Sequence, residues 1–391
     1  MTPHRNFLRT RDEDGPRVTN EELFFDLIYA FAVTQLSHRL LENLTLVNVF
    51  QTLVLWFAVW LGWQYTCWVT NWCNPRILAM RFMLFIIMGI GLFVAAAIPD
   101  AYGERGLMFA AGYVTIQVGR TLFVLYLLGP KHALAPNFQR ILGWLCISAV
   151  LWLSGSQADG AIRLGLWALA VLCEYVSPMF GFWLPGLGRS KTTDWTIDGG
   201  HIAERCQLFV MMALGESVLV TGASLSQAHW SVPTLIATAV ALLISISLWW
   251  IYFDSGSSDG AAKIERSGDP GRMGACFHYV HVTLIGGIIV VAVANELIIA
   301  EPATRIRIPT ITVLVLGPLL YLLGNGLYKK MVYSRTPVSH IAGGIALLIL
   351  IPLGFQTDRL MIGGLLALIL VAVAALEGHR IPREDRPPPS T

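Results

Sequence analysis

Apolar stretches of about twenty residues recur along the chain, separated by short breaks rich in Gly, Pro, Asn and charged residues. A helix that crosses the roughly 30 Å hydrocarbon core of a bilayer needs about 20 such residues, and cutting the chain at its polar breaks predicts twelve spans. The first six fall near residues 23–42, 48–70, 77–98, 106–129, 138–154 and 161–184. The second six fall near 200–224, 232–253, 277–299, 308–328, 337–354 and 359–376. The fifth, eleventh and twelfth are short. Polar residues, with acidic Asp12, Glu13 and Asp14 among them, precede the first apolar run, so no cleavable signal peptide is expected and the first span reads as a retained anchor. The expected architecture is all-α, a polytopic integral membrane protein of about 12 transmembrane helices embedded in a lipid bilayer.

Composition narrows the class. Of 391 residues, 55% are hydrophobic and 13% charged, against roughly 25% charged in a soluble domain, and the mean hydropathy is +0.61. A soluble enzyme, a disordered chain and a nucleic-acid binder are thereby excluded as the main reading. Lys and Arg number 27 against 25 Asp and Glu, so net charge points to no polyanionic partner. Cys67, Cys73, Cys146, Cys173, Cys206 and Cys276 form no C-x-x-C pair and read as small apolar packing residues.

Where the cations fall sets the expected orientation, because cytoplasmic loops carry the excess of Lys and Arg. With twelve spans, both termini share a side, and that side collects 19 of the 27 cations. The opposite side holds the 6 residues Arg39, Arg105, Arg163, Arg305, Arg307 and Arg359, while Arg120 and Arg205 lie within spans. Both termini are therefore expected in the cytoplasm. The Pro387-Pro388-Pro389 tail reads as a disordered end.

Self-similarity at half the chain length suggests a six-plus-six repeat. Tyr126-Leu127-Leu128-Gly129 recurs as Tyr321-Leu322-Leu323-Gly324, 195 positions on. Gly91, Val94, Ala96 and Asp100 align with Gly287, Val290, Ala292 and Glu296, and Trp63-x-Tyr65 matches Trp250-x-Tyr252. Six spans per half make the repeat parallel, an arrangement found among transporters, with the site near the midplane between the halves. The chain then divides into a cytoplasmic N-terminal tail (1–20), a first six-helix half (21–190), a second (191–378) and a disordered cytoplasmic tail (379–391).

Ionisable residues at membrane depth are functional candidates, each with a structural alternative. Thr19-x-x-Glu22 has capping-box spacing, which accounts for Glu22. Asp26, one turn deeper on the same face among Phe24, Phe25, Leu27 and Ile28, caps nothing and is a candidate coupling group or half of an ion pair. Arg120 in the fourth span is its expected counter-charge, with Gln117 on the same face. Glu174 and Glu216 lie within spans six and seven. A carboxyl without a partner at such depth favours its neutral form, which suits proton coupling and equally a hydrogen bond between helices. At the entry to span seven, His201 and Glu204 are three apart beside Arg205, and His278 and His281 open span nine on the same side. With Glu22 they are weak candidates for a metal site, the alternative being hydrogen-bonded interfacial histidines. Phosphate-loop, nucleophile-elbow and H-E-x-x-H motifs are missing, so no cofactor is indicated.

The run Glu21-Glu-Leu-Phe-Phe-Asp26-Leu-Ile-Tyr-Ala-Phe-Ala-Val-Thr-Gln35-Leu-Ser37-His38 resembles the opening of the bacterial low-temperature-requirement protein A family. Further segments resemble that family in the same order: Ile116-Gln-Val-Gly-Arg120-Thr; Asp198-Gly-Gly-His201-Ile-Ala-Glu204-Arg205; Ala213-Leu-Gly-Glu216-Ser217; Trp249-Trp-Ile-Tyr-Phe-Asp254; and Gly317-Pro-Leu-Leu-Tyr321-Leu-Leu-Gly324-Asn325. The resemblance implies a polytopic bacterial inner-membrane protein and brings no reaction with it. The preferred expectation is a secondary transporter of a small solute or ion with intramembrane carboxylates as coupling groups. A membrane-embedded, metal-dependent enzyme and a non-catalytic sensor or assembly factor for cold adaptation are the alternatives. Enzymatic activity and homo-oligomerisation are left open.

Overall fold

The computed structural model describes residues 7–9, 18–195, 197–254 and 257–378. Among them there is no β-strand, and thirteen α-helices follow one another along the chain. They are α1 (Asn20–Glu42), α2 (Leu46–Trp72), α3 (Leu78–Ala97), α4 (Gly106–Leu128), α5 (Ala135–Ser156), α6 (Gly160–Met179) and α7 (Gly199–Gln227). Then come α8 (Val232–Phe253), α9 (Ser257–Glu265), α10 (Pro270–Ala300), α11 (Ile308–Tyr333), α12 (Val338–Gly354) and α13 (Arg359–Gly378). Ten of these helices are long and apolar enough to cross a membrane. Of the other two matched to expected spans, α12 has 17 residues and α1 carries Glu21, Glu22, Asp26, Arg39 and Glu42.

Local chemistry sets the helix ends. The capping box at the start of α1 is formed, with Thr19 accepting from the Glu22 N–H and the Glu22 carboxylate accepting from the Thr19 N–H at 2.9 Å. Thr45 and Ser231 cap α2 and α8 from one side only, each side chain accepting an N–H of the first turn. The sixth span was expected to reach residue 184, but α6 stops at Met179. Pro178 lies in its last turn, and Gly181 and Phe182 turn left-handed at φ 62° and 51°. Asp269 accepts from the Arg272 N–H at 3.0 Å and Pro270 opens α10, so that helix begins a full turn or more before its apolar run. A hydropathy pattern registers only the apolar part. The short α9 also lies within the longest polar segment, where no span was expected.

Two compact units divide the chain, Met1–Arg205 with Ile264–Ala275 and Cys206–Lys263 with Cys276–Thr391, and their boundary runs through α7 and α10. In the first unit α1 packs on α3, α3 on α4, α4 on α5, α5 on α6, α6 on α2 and α2 on α1, with α2 also touching α4. Enclosed by three neighbours, α2 is buried at every residue from Ala58 to Trp72. Polar side chains on it therefore have to find partners inside the protein.

In the second unit α8 packs on α13 and α11, α13 on α12, and α12 on α11. Glycines let α10 and α11 touch backbone to backbone. A Cβ on Gly287 would come within 2.5 Å of the Tyr321 nitrogen, and one on Gly317 within 2.8 Å of the Val291 nitrogen. Close approach at small residues is a common way for helices to associate in lipid, where the hydrophobic effect supplies little drive between them.

Candidate functional site

The first unit buries two polar networks. The larger gathers where the start of α1, the end of α2 and the start of α7 meet. Spacing along α1 places Glu22 and Asp26 on one face, and both side chains are fully buried. Arg205, also fully buried, reaches both, with Nη2 2.5 Å from Asp26 Oδ1 and Nη1 3.1 Å from Glu22 Oε1. The indole N–H of Trp63 donates to the same Asp26 oxygen at 2.7 Å. The other oxygen, Oδ2, is buried with no hydrogen-bond partner. The Arg205 guanidinium also lies over the Phe25 and Trp63 rings.

Arg9 closes this network from the N-terminal side. Its Nη2 donates to Glu22 Oε2 at 2.8 Å and its Nε to the Thr70 carbonyl at 2.8 Å. The strap Phe7–Arg9 is held to the end of α2 by hydrogen bonds from the Arg9 N–H to the Trp72 carbonyl and from the Asn74 N–H to the Phe7 carbonyl. Leu8 bridges Cys73 there, and burial pushes the Cys73 thiol up to about 12.

Geometry also assigns the protonation of His201. The Asp198 N–H donates to Asn71 Oδ1 at 3.0 Å and the Asp198 carbonyl accepts from Asn71 Nδ2 at 2.8 Å, which fixes the orientation of the amide. Asn71 Nδ2 is then the donor 3.1 Å from His201 Nδ1. Nδ1 of His201 is thereby an acceptor, and Nε2, which lies 2.7 Å from Glu22 Oε1 and 3.2 Å from the arginine donor Arg9 Nη2, is placed to donate to the nearer Glu22 oxygen. A neutral His201 leaves Glu22 and Asp26 balanced by Arg9 and Arg205.

The second network joins α4, α5, α6 and α2. Glu174 Oε2 accepts from the Tyr113 hydroxyl at 2.6 Å and Gln117 Nε2 at 3.1 Å, and Oε1 accepts from Trp152 Nε1 at 3.0 Å. Gln117 turns its oxygen to Arg120 Nη2 at 2.6 Å, and Arg120 Nη1 donates to Thr66 Oγ1 at 2.9 Å. One amide thus links a buried cation to a buried carboxylate.

The expected pairing of Asp26 with Arg120 is overturned. Arg205 and Trp63 take Asp26, while Arg120 turns onto α2 at Thr66 and the Gly62 carbonyl. Glu22, Asp26, His201 and Arg205 come together as one group, Arg120 and Glu174 as another. Glu204 accepts from the Val18 N–H at 3.1 Å. Glu216 lies half-buried on the part of α7 that belongs to the second unit.

His278 and His281, both fully buried, are in the second unit. His281 donates from Nδ1 to the Phe277 carbonyl at 2.7 Å and accepts from the Tyr252 hydroxyl at Nε2, 2.8 Å away. Both nitrogens of His201 and of His281 are thus engaged by protein groups. Among the described residues no group of three or more His, Cys, Asp or Glu is arranged to hold a metal ion.

Sequence reading passed over Asn71, Tyr113 and Trp152, counted Arg9 only as a tail charge and used Trp63 only as a repeat marker. A signal was present on α2, where Trp63, Thr66 and Thr70 follow i, i+3, i+7 spacing and so line one face. It also missed a cluster in the second unit, where Glu377 binds Lys329 and Ser339, and His340 Nε2 meets Asn325 Oδ1 at 2.8 Å.

No solved structure matches the chain. It is 34% identical over 377 residues to uncharacterized protein RA0937 of Rhizobium meliloti (strain 1021), an alignment covering 96% of this chain and 92% of that protein. The sequence profile of the bacterial low temperature requirement A protein family matches residues 17–375. With ten helices able to cross a membrane and a profile match over nearly its whole length, the chain belongs to the bacterial low temperature requirement A protein family and is a multi-pass membrane protein.

Proposed function

We propose that this protein is a secondary transporter of a small solute or ion in the bacterial inner membrane, with Asp26 as its principal coupling group. The observation that carries the reading is the state of that carboxylate. It is fully buried, one oxygen takes both Trp63 and Arg205, and the other has no hydrogen-bond partner. A buried acceptor without a donor is costly in a low-dielectric interior, and a proton or small cation on Oδ2 would relieve that cost. Glu22 and Glu174, each satisfied by several donors, are placed as positioning groups, and Glu216 as a secondary coupling candidate.

The same proposal takes α1 and α12 as spans, giving twelve with both termini in the cytoplasm. Support comes from the arginines assigned to the opposite side, four of which are tied to loop and helix-end carbonyls. Arg39 binds the Pro99 carbonyl, Arg105 that of Ala96, Arg163 those of Ala101 and Gly103, and Arg359 that of Leu297. Their structural employment there accounts for basic residues on the sparse side.

A parallel repeat is supported by helix order. The pairs α2 with α6, α4 with α5, α5 with α6 and α2 with α4 have counterparts in α8 with α13, α11 with α12, α12 with α13 and α8 with α11. The residue matches serve it less well. Tyr126 is 76% exposed where Tyr321 is fully buried, and Gly91 faces the Ile28 side chain where Gly287 faces backbone.

The test is flux. Purified protein in sealed proteoliposomes, given an imposed proton gradient and a panel of solutes, is expected to show a solute-dependent change of internal pH that Asp26→Asn abolishes. Asp26→Glu, which keeps the charge, separates lost coupling from lost folding. Wild-type flux unchanged in Asp26→Asn would remove Asp26 from the mechanism, and no flux with any solute would remove the transporter reading.

A further inference from the structure

In the second unit, α11 and α12 leave an open groove of about 370 Å³ on the protein surface. Leu319, Leu323 and Leu327 line it from α11 and Ile341, Ile345 and Leu348 from α12. Glycines shape its floor: a Cβ on Gly344 would lie 3.3 Å from Leu319, and one on Gly326 would lie 3.6 Å from Pro337. The groove runs from Leu319, mid-helix, to Lys330 in the last turn of α11 and Thr336 in the turn before α12. At 1.5 Å per residue, that stretch of α11 is about 16 Å long, close to half of the roughly 30 Å hydrocarbon core. It has the depth of one bilayer leaflet.

Its two ends differ in chemistry. The deep end is wholly aliphatic. At the shallow end Lys330 is exposed and makes no ion pair among the described residues, and Arg335 is exposed beside it in sequence. Glu377, an acid at this end of the bundle, is already held by Lys329 and Ser339. Among the described residues the Lys330 charge is therefore left without an ion-pair partner. A second apolar groove, between α2 and α6 and about 270 Å³ in volume, is lined by Phe50, Leu53, Val54 and Tyr175 among others and has no cation. Grease alone does not distinguish these two grooves; the cation does.

We infer that the α11–α12 groove is a binding site for an anionic phospholipid, which lays one acyl chain between Leu319 and Leu348 and sets its phosphate against Lys330. An acyl chain fits the depth and aliphatic lining, and net negative charge fits a mouth whose lysine has no protein partner. Basic side chains at the membrane surface attract anionic lipid by about 1 kcal/mol each. Neither solute nor coupling group enters the argument, so it stands or falls apart from the transport proposal.

The full chain, purified in detergent, is titrated with phosphatidylglycerol or phosphatidylcholine while its thermal unfolding midpoint is followed. Phosphatidylglycerol is expected to raise the midpoint at lower concentration than phosphatidylcholine. Lys330→Gln should weaken half-saturation by phosphatidylglycerol about fivefold, the equivalent of about 1 kcal/mol, and bring the two lipids closer together. Ile345→Trp adds bulk to an exposed groove position without touching the core, and it should reduce stabilisation by both lipids. Equal responses to the two lipids in the wild type would overturn the inference, as would wild-type responses from both variants. So would a wild-type dimer that Ile345→Trp converts to monomer with its lipid response intact, because a second copy would then cover the groove.

Discussion

Arg205 holds Asp26 and Glu22 at once, although 179 positions separate it from Asp26. A single guanidinium therefore ties both buried acids of α1 to α7. Removing one member of such a buried pair leaves the other uncompensated, at a cost of about 3–5 kcal/mol, whereas replacing both with apolar groups is often far milder. Arg205→Leu is thus expected to lower the unfolding midpoint in detergent more than the double variant Asp26→Leu/Arg205→Leu. Additive losses in the double-mutant cycle would argue against the coupling.

Gln117 makes a similar prediction on a smaller scale. It accepts from Arg120 and donates to Glu174, so Gln117→Leu strands one hydrogen bond on each side. Each unsatisfied buried group costs about 1–3 kcal/mol. Glu174→Gln should also destabilise, because its new amide N–H₂ must face a donor among Tyr113, Gln117 and Trp152. A neutral outcome for both variants in thermal unfolding would show that the network contributes little.

The close crossing of α10 and α11 allows a contrast between glycines. Gly287→Ala places a methyl against backbone that cannot yield, since its Cβ would sit 2.5 Å from the Tyr321 nitrogen. Helix separation and a clear fall in midpoint are expected. Gly165 on α6 has nothing within 4 Å of an added Cβ, and Gly165→Ala should stabilise by about 0.5–1 kcal/mol through helix propensity.

Cys73 reports on the N-terminal strap. With its thiol pushed up to about 12 by burial, Cys73 is far less ionised at pH 8 than an ordinary thiol near 8.5, which is about one-quarter thiolate there. Alkylation of Cys73, followed by peptide mass mapping, should be negligible in the intact protein and at least tenfold faster once residues 1–9 are deleted. Equal rates would mean that the strap does not shield the end of α2.

Most of the architecture was legible because it is written in runs of apolar residues. Each of the twelve expected spans falls on a helix, ten of them long and apolar enough to cross a membrane. The largest boundary shifts fall where Pro178 ends α6, where the polar Pro270–Cys276 segment extends α10 and where Lys329–Tyr333 carry α11 past its apolar run. The site was only half legible. Period and depth singled out Glu22, Asp26, Glu174 and Arg205, but partner choice depends on which helices are neighbours. Arg120 and Asp26 seemed matched in depth, yet Arg120 spends its donors on α2 and Gln117. Asn71 and Arg9 carry no local signature of their roles, because each acts through a residue more than 10 positions away.

The distance in sequence between Asp26 and Arg205 also has a consequence for biogenesis. Synthesis proceeds at about 5–20 residues per second, so Asp26 exists for roughly 9–36 s before the arginine 179 positions on is made. Arg9 precedes Glu22 and can accompany it from the start, and Trp63 follows within one helix. Asp26 has no cation until the seventh helix of the described fold is being made. On the proposed reading of α1 as a span, it enters the membrane with an uncompensated carboxylate, and its final seating waits until α7 has been made.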